Sequence, residues 1–160
     1  MSFPYRSEQI RDIVNATKVL RRPEVLENAN PLPFVGYGEH GKKIDLLLDL
    51  KGNPTLIDLR LHVHAAVFDA PEMFEATLIL ANERVRGIGW HATGKMRFYG
   101  KQVIPKGWHQ NVIDPDLPPD HPDKNRHLPL ETFEPTDLAA FFTAATRLWH
   151  IDLPIEEGLL

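Results

Sequence analysis

The hydrophobic and polar positions of the chain follow a helical period at its start. Between residues 8 and 21 apolar side chains recur at intervals of three and four, which predicts one amphipathic helix. The recurring positions are Ile10, Ile13, Val14, Thr17 and Leu20. Ser7 is a favourable N-cap, and Pro23 is expected to stop the helix.

A period of two replaces the helical period in the middle of the chain, which predicts strands. Leu59, Leu61 and Val63 alternate with Arg60 and His62, as in a strand with one buried and one polar face. We expect two hairpins and a further short strand. Their strands are residues 43–50 with 55–67, residues 74–81 with 84–91, and residues 95–99.

The last third of the chain combines a proline-rich stretch with a second helix. Residues 111–135 contain six prolines, so we expect a long loop without regular structure. Pro135 suits the first turn of the helix that follows, and Pro154 ends it. Its apolar stripe is Leu138, Phe141, Phe142, Ala145, Leu148 and Trp149. The predicted fold is a single α+β domain over residues 1–160, an antiparallel sheet of four to five strands with both helices on one face.

Composition narrows the class of protein. The chain of 160 residues has no cysteine, which excludes disulfides, thiolate metal sites and a thiol nucleophile. It has no apolar run of the roughly 20 residues that a membrane helix needs. Its first residues lack the plan of a signal peptide. These features predict a cytoplasmic protein, and we find no sequence motif for a cofactor.

Charge is distributed unevenly along the chain. The net charge is −4, yet residues 84–109 hold six basic residues and no acidic one, which leaves −10 for the rest. Lysine and arginine neutralise phosphates, and aromatic rings offer faces on which bases stack. The predicted nucleic-acid-binding residues are Arg84, Arg86, Lys95, Arg97, Tyr99, Lys101, Lys106 and Trp108.

Two histidines of the same segment, His91 and His109, are the predicted catalytic residues. Imidazole exchanges protons near neutral pH, and RNA cleavage without a metal needs one base, one acid and cations around the phosphate. Two other interpretations of the segment stay open. Alternating rings and cations are also typical of a solvated edge hairpin. The aspartates of the proline-rich loop, Asp114, Asp116, Asp120 and Asp123, would neutralise the segment if they folded over it.

A second pair of histidines, His62 and His64, points to one face of its predicted strand. Such a pair binds first-row metals when a third ligand is present, and Asp58 is the nearest candidate. The spacing to Asp69 and Ala76 does not match the cupin motif that begins with the same His-x-His. Polar surface is the simpler explanation of the pair, so the sequence predicts no metal site.

The run Phe98-Tyr99-Gly100-Lys101, Lys106-Gly107-Trp108-His109 and Ile113-Asp114-Pro115 resembles segments of small uncharacterised bacterial proteins. The resemblance implies a bacterial, cytoplasmic protein and no particular activity. Two functional hypotheses follow from the residues. One is contact with RNA or another phosphate-rich ligand through residues 84–109, extending to a metal-independent ribonuclease of the toxin kind. The other is a non-catalytic interaction module, such as an antitoxin, an inhibitor or a partner subunit.

Overall fold

The structure is a computed structural model that describes residues 3–21, 44–52, 58–65, 74–97 and 102–153. This part of the chain contains two α-helices, α1 (Ser7–Asn15) and α2 (Leu138–Leu148). Its strands are β1 (Lys18–Leu20), β2 (Ile44–Lys51), β3 (Leu59–Ala65), β4 (Phe74–Leu80), β5 (Glu83–His91), β6 (Lys95–Arg97), β7 (Gln102–Ile104), β8 (Gly107–Ile113), β9 (Asn125–Pro129) and β10 (Ile151–Asp152).

Eight of these strands form one sheet in the order β10-β1-β2-β3-β4-β5-β8-β9. Strands β6 and β7 pair separately as a small two-stranded sheet. The α+β class is as predicted, but the sheet has eight strands instead of four or five. It is also mixed, because β1 and β10 run parallel while the other neighbours are antiparallel. The short strands β1 and β10 are too brief to show a periodicity that sequence reading detects.

The two predicted hairpins are present in the described residues. β2 pairs with β3 over seven residue pairs, and β4 pairs with β5 around a two-residue turn. Both turn residues, Ala81 and Asn82, have positive φ angles of 50° and 65°. This is the backbone of a tight turn whose twist matches antiparallel strands. The predicted ends of the first hairpin at residues 53–57 and 66–67 lie outside the described residues.

The first helix is shorter than predicted. It ends at Asn15, and Lys18–Leu20 continues as β1, so Leu20 is buried from a strand and not from a helix. Ser7 is the first helical residue, preceded by Arg6 as the N-cap residue. The change at residue 16 has a tertiary cause. The buried ammonium group of Lys18 donates to three backbone carbonyls, those of Val14, Ala16 and Trp149, at 2.6–2.7 Å.

The prediction that residues 111–135 form no regular structure is wrong. β8 extends to Ile113, a 3-10 turn covers Pro122–Lys124, and β9 is the edge strand of the main sheet. Proline is tolerated there because a residue at the end of an edge strand does not need to donate a ladder hydrogen bond on its open side. Pro129 is the last residue of β9 and meets this condition.

One apolar core joins the sheet to both helices. The inward side chains of β2 to β5 and β8 pack with Ile10, Ile13 and Val14 of α1 and with the buried stripe of α2. Each helix leads at once into a short strand, α1 into β1 and α2 into β10, and these two strands pair at one end of the sheet, an arrangement that the predicted fold lacked. Neither helix of the described part has the length and apolar character needed to cross a membrane.

Candidate functional site

The candidate site lies on the sheet face opposite the core, where β5 pairs with β8. Trp90 pairs with Trp108, and both pack toward the core. Their neighbours face the other way: Gly89 pairs with His109 and His91 pairs with Gly107. Because side chains alternate along a strand, the two predicted catalytic histidines emerge on the same face of the sheet.

Three histidines form a row on this face. The rings of His91 and His109 stack with centroids 4.6 Å apart and planes inclined by 8°. The ring of His127 on β9 lies 5.3 Å beyond His109, inclined by 46°. His127 reaches this position because it pairs with Asn111, two residues after His109 on β8. The structure therefore brings the two predicted histidines together and adds a third.

Two glycines of β5 leave room for the side chains of β8. A Cβ atom at Gly89 would lie 3.5 Å from Cε1 of His109, and one at Gly87 would lie 3.6 Å from Cβ and Nδ2 of Asn111. These are ordinary contact distances, so His109 and Asn111 lie close over glycine backbone. The two glycines form the floor of a groove that a larger side chain would fill.

The groove has a volume of about 190 Å³. Its polar side chains come from four strands: Glu75 and Thr77 of β4, Arg84 and His91 of β5, His109 and Asn111 of β8, and His127 of β9. Two buried polar atoms in the groove, Nδ1 of His109 and Oδ1 of Asn111, make no hydrogen bond within the described residues. Buried polar atoms usually have partners, so a polar ligand with its own donors and acceptors matches this lining.

Burial lowers the pKa of His109 below its ordinary value of 6.5. His109 is only 3% exposed, and the loss of water around the ring penalises its charged form. The nearby His91 lowers this pKa further, while the backbone carbonyl of Gly107 acts in the opposite direction. Burial therefore favours the neutral imidazole of His109, the form that accepts a proton.

The predicted cationic residues do not form one surface. Arg84 lines the groove, and Lys106 is exposed near the other end of β8. Arg86 is only 8% exposed and lies on the core side of the sheet, so it is withdrawn from the groove. Lys95 and Arg97 are in β6, where the backbone alone is described. Tyr99 and Lys101 lie outside the described residues.

Trp108 does not offer its ring to a base. The ring is 8% exposed and stacks on Phe141 of α2 at 5.3 Å, with Phe133 packed edge-on at 5.2 Å. Side chains alternate along β8, so His109 faces the groove and Trp108 faces the core. The prediction that Trp108 binds a nucleic-acid base is therefore wrong.

Two aspartates of the proline-rich stretch, Asp114 and Asp116, make contacts outside the basic segment. Asp116 forms an ion pair with Arg6 at 4.0 Å and accepts weakly from the backbone N–H of Ser7 at 3.4 Å. Asp114 accepts from the backbone N–H of Asp116 at 2.9 Å. Among the described residues no ion pair joins these aspartates to residues 84–109. The contacts of Asp116 connect this stretch to the residues at the start of α1.

His62 and His64 are half-buried neighbours on β3, with ring centroids 6.4 Å apart. Asp58, the candidate third ligand, pairs instead with Arg60 at 3.8 Å. Within the described ranges no group of three or more histidine, aspartate or glutamate side chains is arranged to hold a metal ion. The row of histidines on β5, β8 and β9 fits this finding, because stacked rings do not direct their nitrogens at one point.

Sequence reasoning missed four residues of the groove: Glu75, Thr77, Asn111 and His127. His127 and Asn111 were assigned to an irregular loop, and only the pairing of β8 with β9 brings them together. Glu75 and Thr77 lie on the outward face of a strand that was predicted correctly. Their spacing of two was a usable signal, but the order of the strands was needed to place them beside β5.

Comparison of the chain with family models, with curated proteins and with solved structures gives no match. The resemblance of residues 98–115 to bacterial segments therefore stays an expectation.

Proposed function

We propose that the histidine-lined groove binds RNA or a related phosphate ligand and that His91 and His109 act there as an acid–base pair. The observation that carries the proposal is the stacking of these two histidines, contributed by different strands, inside one polar groove. Pairs of titratable groups whose environments differ are typical of acid–base sites. His109 is buried against the floor, whereas His91 is partly exposed.

The chemistry divides between the two rings. Neutral His109 takes the proton of a ribose 2′-hydroxyl, and the oxygen attacks the adjacent phosphorus. The bond from phosphorus to the 5′-oxygen then breaks, and His91, when protonated, gives its proton to that oxygen. Arg84, at the groove, supplies positive charge to the phosphate oxygens. The products are a 2′,3′-cyclic phosphate and a free 5′-hydroxyl.

The size of the groove indicates how an RNA would bind. Pockets for small molecules usually have volumes of about 300–1,000 Å³, and this groove has about 190 Å³. It accommodates part of a nucleotide, with the rest of the strand lying over the open sheet face. A polymer that contributes one reacting phosphate at a time fits this shape better than an enclosed metabolite.

The alternative function, a non-catalytic interaction module, calls for an exposed apolar patch. The large apolar side chains that are exposed in the described residues are Val19, Leu47 and Leu128. They lie on β1, β2 and β9, and Val19 pairs with Lys51 and not with Leu47. Scattered single residues of this kind are normal on soluble proteins, so we favour the groove.

The experiment measures binding and cleavage of a short single-stranded RNA. We expect binding to weaken with salt, with a log–log slope of about −0.7 per phosphate contacted, and Arg84→Ala to make the slope shallower by about that amount. Arg147→Ala, on the exposed end of α2, is the matched control and leaves the slope unchanged.

The histidine variants separate catalysis from binding. We expect His91→Gln and His109→Gln to abolish cleavage while binding changes little, because proton transfer and charge neutralisation are different roles. His150→Asn, at an exposed turn, should cleave as the parent protein does. If the parent protein shows no salt-dependent binding to RNA, the proposal fails. If it binds RNA but both histidine variants cleave normally, or nothing is cleaved, the catalytic part fails.

A further inference from the structure

Three arginines cluster on the core side of the sheet, away from the histidine-lined groove. Arg86 of β5 pairs with Val112 of β8, and Val112 pairs in turn with Arg126 of β9. Directly paired residues share a face, so Arg86 and Arg126 project from the same face on either side of Val112. The third arginine, Arg11 of α1, is close enough to act on Arg86 electrostatically.

Arg86 is the buried member of the cluster. Its side chain is 8% exposed, and its one hydrogen bond within the described residues runs from Nη1 to the carbonyl of Val85 at 2.8 Å. A guanidinium has five donors in a rigid fork, so Arg86 has further donors that are not bonded to the described residues. Arg11 and Arg126 are exposed, which leaves the cluster open to solvent on their side.

No carboxylate of the described residues compensates the charge of the cluster. Burial lowers the pKa of Arg86, and repulsion from Arg126 and Arg11 lowers it further. No ion pair joins these three arginines to a carboxylate in the described part of the chain, and Asp116 is paired with Arg6. Buried charges in proteins are normally paired, because removing them from water is costly. An anion bound beside Arg86 would compensate the buried charge that no carboxylate of the described residues pairs.

We propose that Arg11, Arg86 and Arg126 form a binding site for a tetrahedral oxyanion such as phosphate. Arginine forks match phosphate oxygens in geometry, and charge-assisted hydrogen bonds to them are strong. The two exposed arginines admit the anion, and the buried one fixes its position. The ligand chemistry is that of inorganic phosphate or of a phosphate group carried by a nucleotide or RNA.

The test is calorimetric titration with inorganic phosphate at constant ionic strength set with chloride, followed by thermal melts. The variants are Arg11→Ala and Arg126→Ala, and because both residues are exposed we expect the fold to stay intact. Arg147→Ala is the matched control. We expect saturable binding of phosphate to the parent protein and to the control. Each cluster variant should bind at least about tenfold more weakly, since it loses a charge-assisted contact.

Phosphate also stabilises proteins without binding them, but that effect raises the melting temperature of every variant alike. An equal shift in all four proteins, or equal affinities by calorimetry, would overturn the proposal.

A short RNA tests the source of the phosphate. If inorganic phosphate competes with RNA and Arg126→Ala weakens RNA binding, the site holds an RNA phosphate. If neither occurs while phosphate still binds, the site holds a free anion. The phosphate site does not depend on the proposed cleavage. If His91→Gln and His109→Gln had no effect on RNA cleavage, phosphate binding by the arginine cluster would still stand.

Discussion

Trp108 and His109 are consecutive residues of β8 that are almost equally buried, at 8% and 3% exposure, on opposite faces of one sheet. Trp108 packs between aromatic rings of the core. His109 packs between two other histidines and keeps a buried nitrogen without a hydrogen bond in the described residues. One residue is buried where burial stabilises the fold, the other where burial changes its acid–base behaviour.

The difference shows that the two faces of one β-strand have different roles: one face stabilises the fold and the other carries the polar groups of the candidate site. The core face gains from dispersion and from the removal of apolar surface from water. The groove face carries polar groups whose desolvation has a cost, which is tolerated because the other face supplies the stability. Functional sites are commonly places where local stability is given up in this way.

The largest effect is expected on the core face. Phe141 is fully buried and contacts Trp108, Phe74 and Phe133 with ring centroids 5.3–6.1 Å away. We expect Phe141→Ala to lower the free energy of unfolding by about 3–5 kcal/mol through the cavity it leaves. Leu47→Ala, at a side chain that is 51% exposed, is the control. Urea denaturation measures both, and equal effects would contradict this assignment of the core.

Lys18 is a buried polar group that donates hydrogen bonds to three backbone carbonyls. We expect Lys18→Met to lower the free energy of unfolding by about 1–3 kcal/mol, because buried carbonyls lose their donor. Burial lowers the pKa of Lys18 from 10.5 to about 8. Between those values the unfolded chain binds more protons than the folded one.

The parent protein should therefore gain stability relative to Lys18→Met as the pH rises from about 8 toward 10.5. Denaturation curves of the two proteins across this range check the sign. A difference that shrinks as the pH rises would show that burial does not control the titration of this lysine.

We expect the titration of His109 to have a smaller effect on the free energy of unfolding. Its pKa is lowered by burial and by His91, so at pH values just below 6.5 the unfolded chain binds more protons than the folded chain. The parent protein should lose stability as the pH falls from about 6.5 through the lowered pKa, and His109→Gln should lose less. His150→Asn serves as the control at an exposed histidine. Parallel curves for the parent protein and His109→Gln would contradict the burial of an ionisable ring.

The smallest effect is expected at the surface of the proline-rich stretch. Asp116 pairs with Arg6, whose side chain is 79% exposed, and such pairs contribute about 0–1 kcal/mol. We expect Asp116→Asn to change stability within that range and to leave RNA binding unaltered. A marked gain in RNA affinity would indicate that the acidic stretch masks the groove after all.

The sequence predicted elements wherever periodicity was long enough to be unambiguous. The stripe of α2 and the alternation of β3 gave both type and buried face. The prediction from sequence failed at β1, because the helical period continues past Asn15. It also failed at β9, because six prolines in residues 111–135 predicted a loop where a short strand forms. In each case a tertiary contact decides: Lys18 donates to the carbonyls of Val14 in α1 and of Trp149 just after α2, and β9 needs β8 as its partner.

The site was predicted in part for the same reason. His91 and His109 stood out as histidines in a basic segment, but their stacking depends on the register of β5 against β8. Arg86 and Trp108 were assigned to the same surface because sequence reading did not give the face of each strand. An irregularity in the pairing of β4 with β5 moves Arg86 to the core side, since Leu78 pairs with Arg86 while Ile79 pairs with Arg84. No local pattern predicts such a shift.

The most direct test of the histidine-lined groove is an NMR titration of the imidazole Cε1–H signals with a short single-stranded RNA. We expect the signals of His91, His109 and His127 to shift together and to saturate at one concentration. The signals of His121 and His150, which lie away from the groove, should stay in place. Saturable binding that shifts His121 or His150 but leaves the three groove histidines unmoved would contradict the account.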